Sequence, residues 1–202
     1  MNSDYQSSVV GFVRERATSG RRAIIDGEAE LTYSELDERS NRAAQLLISL
    51  GVGHNDRVGF VGRNGAEFFE LLIGASKLGA VLCAVNWRLS AAEVRYVLED
   101  SGASLVFAQT EFLRVVPEGL RTVTLDDVAG GYGPQRDRSP NVDPGHVPVP
   151  SETWLQLYSS GTTGNPKGVL ITHGNLAAFL DAGLDVNELG PESVSMIALP
   201  IF

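Results

Sequence analysis

Apolar residues recur along this chain in two rhythms. Leu36, Ala43, Leu47 and Leu50 return at helical intervals, and helices are expected at 5–19, from 33 to 50, at 66–78, from 91 to 101 and at about 173–188. Short, densely apolar runs at 57–61, 80–85, 105–108, 120–125, 154–158, 169–171 and 194–201 predict strands. Two shorter strands, 22–25 and 30–32, flank the turn Asp26-Gly27-Glu28. Punctuation supports the helices. Thr32 and Glu35 have capping-box spacing, with Leu31 and Leu36 placed as a hydrophobic staple; Ser90 and Glu93, with Leu89 and Val94, repeat the device. Gly51, Gly79 and Gly102 stand where a helix would stop.

Strand and helix alternate, and the strands are apolar on both faces. That pattern predicts an α/β fold, with a mainly parallel sheet flanked by helices on both faces. Residues 130–152 interrupt it. Five of the nine prolines fall there, with Gly130, Gly131, Gly133 and Gly145. The expected organisation is a first α/β layer at 1–129, a Pro/Gly-rich surface connection at 130–152, and a further segment at 153–202. The closing run Val194–Ile201 is strand-like, and natural ends are usually exposed and polar, so the chain reads as a piece of something longer.

Composition narrows the function. The 202 residues are 43% hydrophobic and carry a formal charge of -9, with no Lys/Arg-rich run, which argues against a nucleic-acid partner. The N-terminus lacks a basic region and an apolar core, so no secretory signal is expected. No stretch approaches the ~20 apolar residues of a membrane span, and a cytoplasmic location is expected. Cys83, the single cysteine, lies in an apolar run and reads as a buried, inert thiol. His54, His146 and His173 show no metal-ligand spacing, so no metal ligands are assigned.

The chemistry concentrates in YSSGTTGNPKGV, Tyr158 to Val169. Gly161, Gly164 and Gly168 permit close backbone approach and free N–H groups. Ser159, Ser160, Thr162 and Thr163 add hydroxyls, and Lys167 is the one cation inside the loop. This composition suits a polyphosphate. It is not a Walker A loop, because Pro166 and Gly168 stand where that motif needs Gly and Ser or Thr. By composition alone, a Gly/Ser/Thr hairpin without a ligand also fits.

These twelve residues resemble the signature of the adenylate-forming superfamily: acyl-CoA synthetases, luciferases and amino-acid-activating adenylation domains. Leu31–Leu36 is similar to its early "LTYxEL" element. Lys77–Val81 with Val85–Leu89 resembles "GAVxxPxNxRL", with Ala84 where proline is common. Leu199–Phe202 resembles the start of "LPxFH". The resemblance implies an enzyme, an acid–thiol ligase that joins a small-molecule carboxylate to AMP using Mg2+ and ATP and then transfers the acyl group to coenzyme A. It implies that Ser159, Ser160, Gly161, Thr162, Thr163, Gly164 and Lys167 bind the ATP phosphates. No catalytic residue is assigned, since the family's "YGxTE" element, ribose-binding aspartate and catalytic lysine come later than residue 202. The 202 residues alone are therefore expected to be inactive, with an uncovered apolar edge that favours self-association. Two alternatives stay open: an amino-acid-activating adenylation domain, and a non-catalytic phosphate-binding or interaction module. His173 and Trp87-Arg88 are assigned to packing, and Asp126-Asp127 to solvated loop.

Overall fold

A computed structural model describes residues 8–159, 165–183, 194–197 and 200–202. Helix α1 (Val9–Arg16) begins at Ser8, whose hydroxyl accepts the Gly11 N–H at 3.0 Å. It is shorter than the 5–19 expected, and residues 5–7 lie outside the described set. Strands β1 (Arg22–Asp26) and β2 (Ala29–Thr32) pair antiparallel as a separate ribbon. Helix α2 (Tyr33–Ser49) follows directly. Its capping box is reciprocal: the Thr32 hydroxyl accepts the Glu35 N–H at 3.2 Å, and the Glu35 carboxylate accepts the Thr32 N–H at 2.8 Å. Leu31 and Leu36 are both buried beside it.

The main sheet begins with β3 (Arg57–Val61), followed by α3 (Ala66–Lys77), β4 (Val81–Ala84), α4 (Ala91–Ser101) and β5 (Ala103–Ala108). Ser90 and Glu93 close the second capping box at the start of α4, and Gly102 ends it at φ 71°. A 3-10 turn at Thr110–Val115 leads to β6 (Arg121–Thr124). Helix α5 (Tyr132–Arg138), β7 (Thr153–Ser159), β8 (Lys167–Thr172) and α6 (His173–Gly183) complete the described elements. The six strands lie in the order β6-β5-β3-β4-β7-β8. Every pair is parallel except β7 with β8. The fold is thus the mainly parallel, helix-flanked sheet expected from the sequence.

Alternation along the strands divides the core into two layers. Val58, Phe60, Leu82, Ala84, Leu105 and Phe107 face α2 and α3. Val61, Cys83, Val85, Val106 and Ala108 face α4. Because both faces are covered, these strands need apolar residues at every position, which is why they lack a polar side. Burial pushes the Cys83 thiol up to about 11, which leaves it an unreactive core residue.

Two regions depart from the sequence reading. The 130–152 stretch holds a helix, α5, whose first residue Tyr132 is fully buried. The Tyr132 hydroxyl donates to the Glu70 carboxylate at 3.0 Å, and Arg136 reaches the same group at 2.6 Å. A tertiary anchor therefore holds a short helix that local composition disfavours. The closing strand is absent among the described residues: 194–197 and 200–202 have no strand partner. Val194, Met196 and Ile197 are exposed, so apolar composition there is not matched by a neighbour. Helix α6 is described to Gly183, and the rest of its expected span lies outside the described residues.

Candidate functional site at the carboxyl end of the sheet

The small-residue loop connects two antiparallel strands. Ser159, the last residue of β7, faces Lys167, the first of β8, directly across the ladder. Residues opposite one another in an antiparallel pair project from the same face. Ser159 and Lys167 therefore project from the same face at the mouth of the hairpin, and both residues are exposed. Strand–loop–strand also separates this loop from a Walker A loop, which opens a helix. Of the other residues assigned to phosphate, Ser160, Gly161, Thr162, Thr163 and Gly164 lie outside the described residues.

The hairpin stem is held by side chains that sequence reasoning did not single out. The Tyr158 hydroxyl donates to Asp100 on α4 at 2.7 Å and accepts from the Gln156 amide at 3.0 Å. Burial, with the bond to Asp100, pushes the Tyr158 phenol well above its ordinary range, so it stays a neutral donor. Gly168 makes this arrangement possible. A Cβ there would lie 2.9 Å from the Gln156 amide nitrogen and 3.4 Å from the Tyr158 ring. Its role is thus close packing on the stem, since it lies within β8 and not in the loop whose freedom was expected of it.

The hairpin follows the carboxyl end of β7, and other motif residues gather at that same end of the parallel strands. Ile201 and Phe202 line a crevice with Phe60, Gly62, Asn64 and Val85, which follow or close β3 and β4. The Ile201 N–H donates to the Asn64 side chain at 3.1 Å. Trp87, just after β4, stacks on Phe112 with centroids 5.3 Å apart, under the guanidiniums of Arg63 and Arg88. Trp87 and Arg88 therefore pack, as expected. In open α/β sheets, the carboxyl end is where ligands bind.

The remaining candidates sort differently. His173, the first residue of α6, is buried and stacks on Trp154 at 5.8 Å. Desolvation lowers it to about 4, so it is a neutral packing residue. Asp126 does more than meet solvent: it accepts the Thr110 N–H and the Thr124 hydroxyl, which tie β6 to the turn after β5. The fold adds a grouping that spacing does not show. The fold brings His54 and His146 together with Glu152, although their sequence spacing shows no pattern. No signal in the sequence would have found this set. Among the described residues, no helix is long and apolar enough to cross a membrane.

Known proteins share this architecture. A model of the AMP-binding enzyme family matches residues 12–202. The chain is 37% identical over 187 residues to the fatty acid–[acyl-carrier-protein] ligase ScoC of Streptomyces coeruleorubidus, covering 89% of this chain and 36% of that protein. It is 32% identical over 202 residues to the long-chain-fatty-acid–CoA ligase FadD13 of Mycobacterium tuberculosis, covering 95% of this chain and 40% of the relative. A solved Mycobacterium tuberculosis fatty acyl CoA synthetase superimposes with a TM-score of 0.74 at 28% identity, over 85% of this chain and 36% of its own. The chain thus spans 36–40% of the length of these proteins. With the match running through the hairpin and the carboxyl-end crevice alike, the chain belongs to the AMP-binding enzyme family.

Proposed function

We propose that these residues form the phosphate-binding part of a carboxylate-activating acid–thiol ligase. The observation that carries the reading is the exposed pair Ser159 and Lys167, facing each other on a Gly/Ser/Thr hairpin at the carboxyl end of the sheet. In the proposed reaction, a substrate carboxylate oxygen bonds to the α-phosphorus of ATP while the bond to the β-phosphate oxygen breaks, releasing pyrophosphate. A thiol sulfur then attacks the acyl carbon, and AMP leaves. The barrier to the first step is repulsion between two anions. A positioned ammonium and a set of hydroxyl and backbone N–H donors lower it by holding phosphate charge in place. Lys167 supplies the charge, and Ser159, Ser160, Gly161, Thr162, Thr163 and Gly164 supply donors. The segment 159–168 contains no carboxylate, so Mg2+ would arrive on the ATP phosphates rather than on this hairpin. The named relatives act with a carrier protein or with coenzyme A, and coenzyme A is the acceptor proposed here.

The test is carboxylate-dependent ATP–pyrophosphate exchange in a longer protein that carries residues 1–202. Lys167→Ala is expected to lower the rate by about 10²–10³-fold. Equal rates would remove the assignment. The 202 residues alone are expected to release no carboxylate-dependent pyrophosphate. They are also expected to self-associate through the exposed apolar residues Val194, Met196 and Ile197, a point that light scattering decides.

A further inference from the structure

His54, His146 and Glu152 come from three separate segments: the turn before β3, the connection after α5, and the residue just before β7. Each offers a ligand atom, and those atoms all lie within 4.8 Å of one another. The His146 Nε2 is 2.8 Å from one Glu152 carboxylate oxygen, and the His54 Nε2 is 3.5 Å from the other. The two rings meet edge to face, with centroids 5.4 Å apart.

The backbone around the cluster is built to bring it together. The Asn55 N–H donates to the Gly79 carbonyl at 2.8 Å, which folds the 53–56 turn onto the loop before β4. Asn55 takes a positive φ of 65° to do so. Gly79, at φ 74°, leaves the space the rings use: a Cβ there would stand 2.4 Å from the His54 ring and 3.1 Å from the His146 Nε2. The His146 carbonyl accepts from Arg14 at 3.0 Å, and the Glu152 carbonyl accepts the His173 N–H at 3.0 Å. Among the described residues, the ion-pair partners of Glu152 are these two imidazoles, with no arginine or lysine. Burial alone would raise the Glu152 carboxyl, but the bonds from His146 and His54 outweigh it and hold it ionised.

We propose that His54, His146 and Glu152 form a binding site for a divalent transition metal of the Zn2+ class. Two imidazole nitrogens and one carboxylate oxygen are a donor set for Zn2+, whereas Ca2+ and Mg2+ take oxygen ligands. The exposed side of His54 leaves room for entry and for a water as fourth ligand. Zinc–nitrogen bonds of about 2.0–2.1 Å require the three atoms to draw closer, and His54, half exposed on its turn, is the arm free to move. On binding, each Nε2 presents its lone pair and its ring carries its proton on Nδ1. The site lies at the amino ends of β3, β4 and β7. The hairpin lies at the carboxyl end of β7, about 20 Å away at the usual rise per residue. The metal therefore fastens the 140–152 connection to the sheet and takes no part in phosphate chemistry.

The experiment uses the 202-residue chain after chelator treatment. Equilibrium dialysis against ZnCl2 with elemental analysis gives stoichiometry whatever the state of association. One zinc per chain is expected, together with a rise in melting temperature and, with Co2+ in its place, the intense visible absorption of a four-coordinate ion. His54→Ala tests the exposed arm. His146→Gln keeps a donor to Glu152 and so separates metal loss from unfolding. Each is expected to weaken zinc binding by more than the about 10–100-fold that loss of an outer-shell partner costs. No zinc uptake overturns the proposal, as does uptake unchanged in both variants. Melting that responds to pH across the imidazole range but not to zinc shows a proton-binding cluster only, and also overturns it.

Discussion

Strands β4 and β8 are both rich in apolar residues, yet they live in opposite surroundings. Val81, Leu82, Cys83 and Ala84 are all buried, whereas Val169 and Leu170 are 45% and 50% exposed. The difference lies in neighbours. β4 runs between β3 and β7, with α3 over one face and α4 over the other. Among the described residues, β8 pairs with β7 alone and forms the edge of the sheet. An apolar run reports that a segment can be buried; it does not say what covers it. The same contrast separates charges. Lys167 on β8 is exposed, while Lys77 at the end of α3 is fully buried against the Asp37 carboxylate at 2.7 Å and the Asn41 amide oxygen at 2.5 Å. Desolvation lowers the Lys77 pKa, and that ring of acceptors is what the buried ammonium needs.

The largest effect should come from the buried side of this comparison. Glu70 is buried and receives Tyr132, Arg136 and Arg39. Glu70→Ala leaves Arg136 and the Tyr132 hydroxyl without their partner, and is expected to cost about 3–5 kcal/mol in urea unfolding. A cost under about 1 kcal/mol would mean that α5 is not anchored as described.

Next comes the seam between the regions, where His173 stacks on Trp154. Its folded value of about 4 lies below the unfolded value near 6.5, mainly through desolvation, with the His146 charge adding to it and Glu152 opposing. Between those values the unfolded chain holds the extra proton. Stability from this group is therefore complete above pH ~6.5 and is lost as pH falls towards 4, by about 3 kcal/mol in all. His173→Phe should flatten that part of the pH profile. An unchanged slope would place a charged imidazole in the fold.

A smaller effect, about 1 kcal/mol, is expected for Thr32→Ala, which removes the hydroxyl half of a capping box. Thermal melts that show no change would mean that Leu31 and Leu36 alone set the start of α2. The smallest belongs to the edge: Leu170→Ala should stay within about 0.5 kcal/mol, because half of its surface is already in water. A loss near that of a core leucine, about 2–5 kcal/mol, would show that β8 is covered in solution and would erase the contrast.

What the sequence determined by itself is whatever neighbours along the chain decide. The capping boxes at Thr32 and Ser90 and the helix stops at Gly51, Gly79 and Gly102 depend on residues a few positions apart, and all are found where spacing places them. Two-sided apolar strands announced the covered parallel sheet, because such strands have no face to give to water. The hairpin was legible as chemistry, since glycine, hydroxyls and one lysine have a meaning at any position in a fold. Its strand–loop–strand order was legible too, from the apolar runs on either side; that Ser159 stands opposite Lys167 was not, because that pairing depends on register. Only the tertiary structure decided the rest. Helix α5 forms on the strength of Tyr132 and Arg136 reaching Glu70, contacts between residues 62 and 66 positions apart. His54, His146 and Glu152 meet because the amino ends of β3, β4 and β7 are aligned by parallel pairing, and nothing local in the chain encodes that alignment. Burial, partner and distance are properties of pairs far apart in sequence, so they exist only once the sheet has formed.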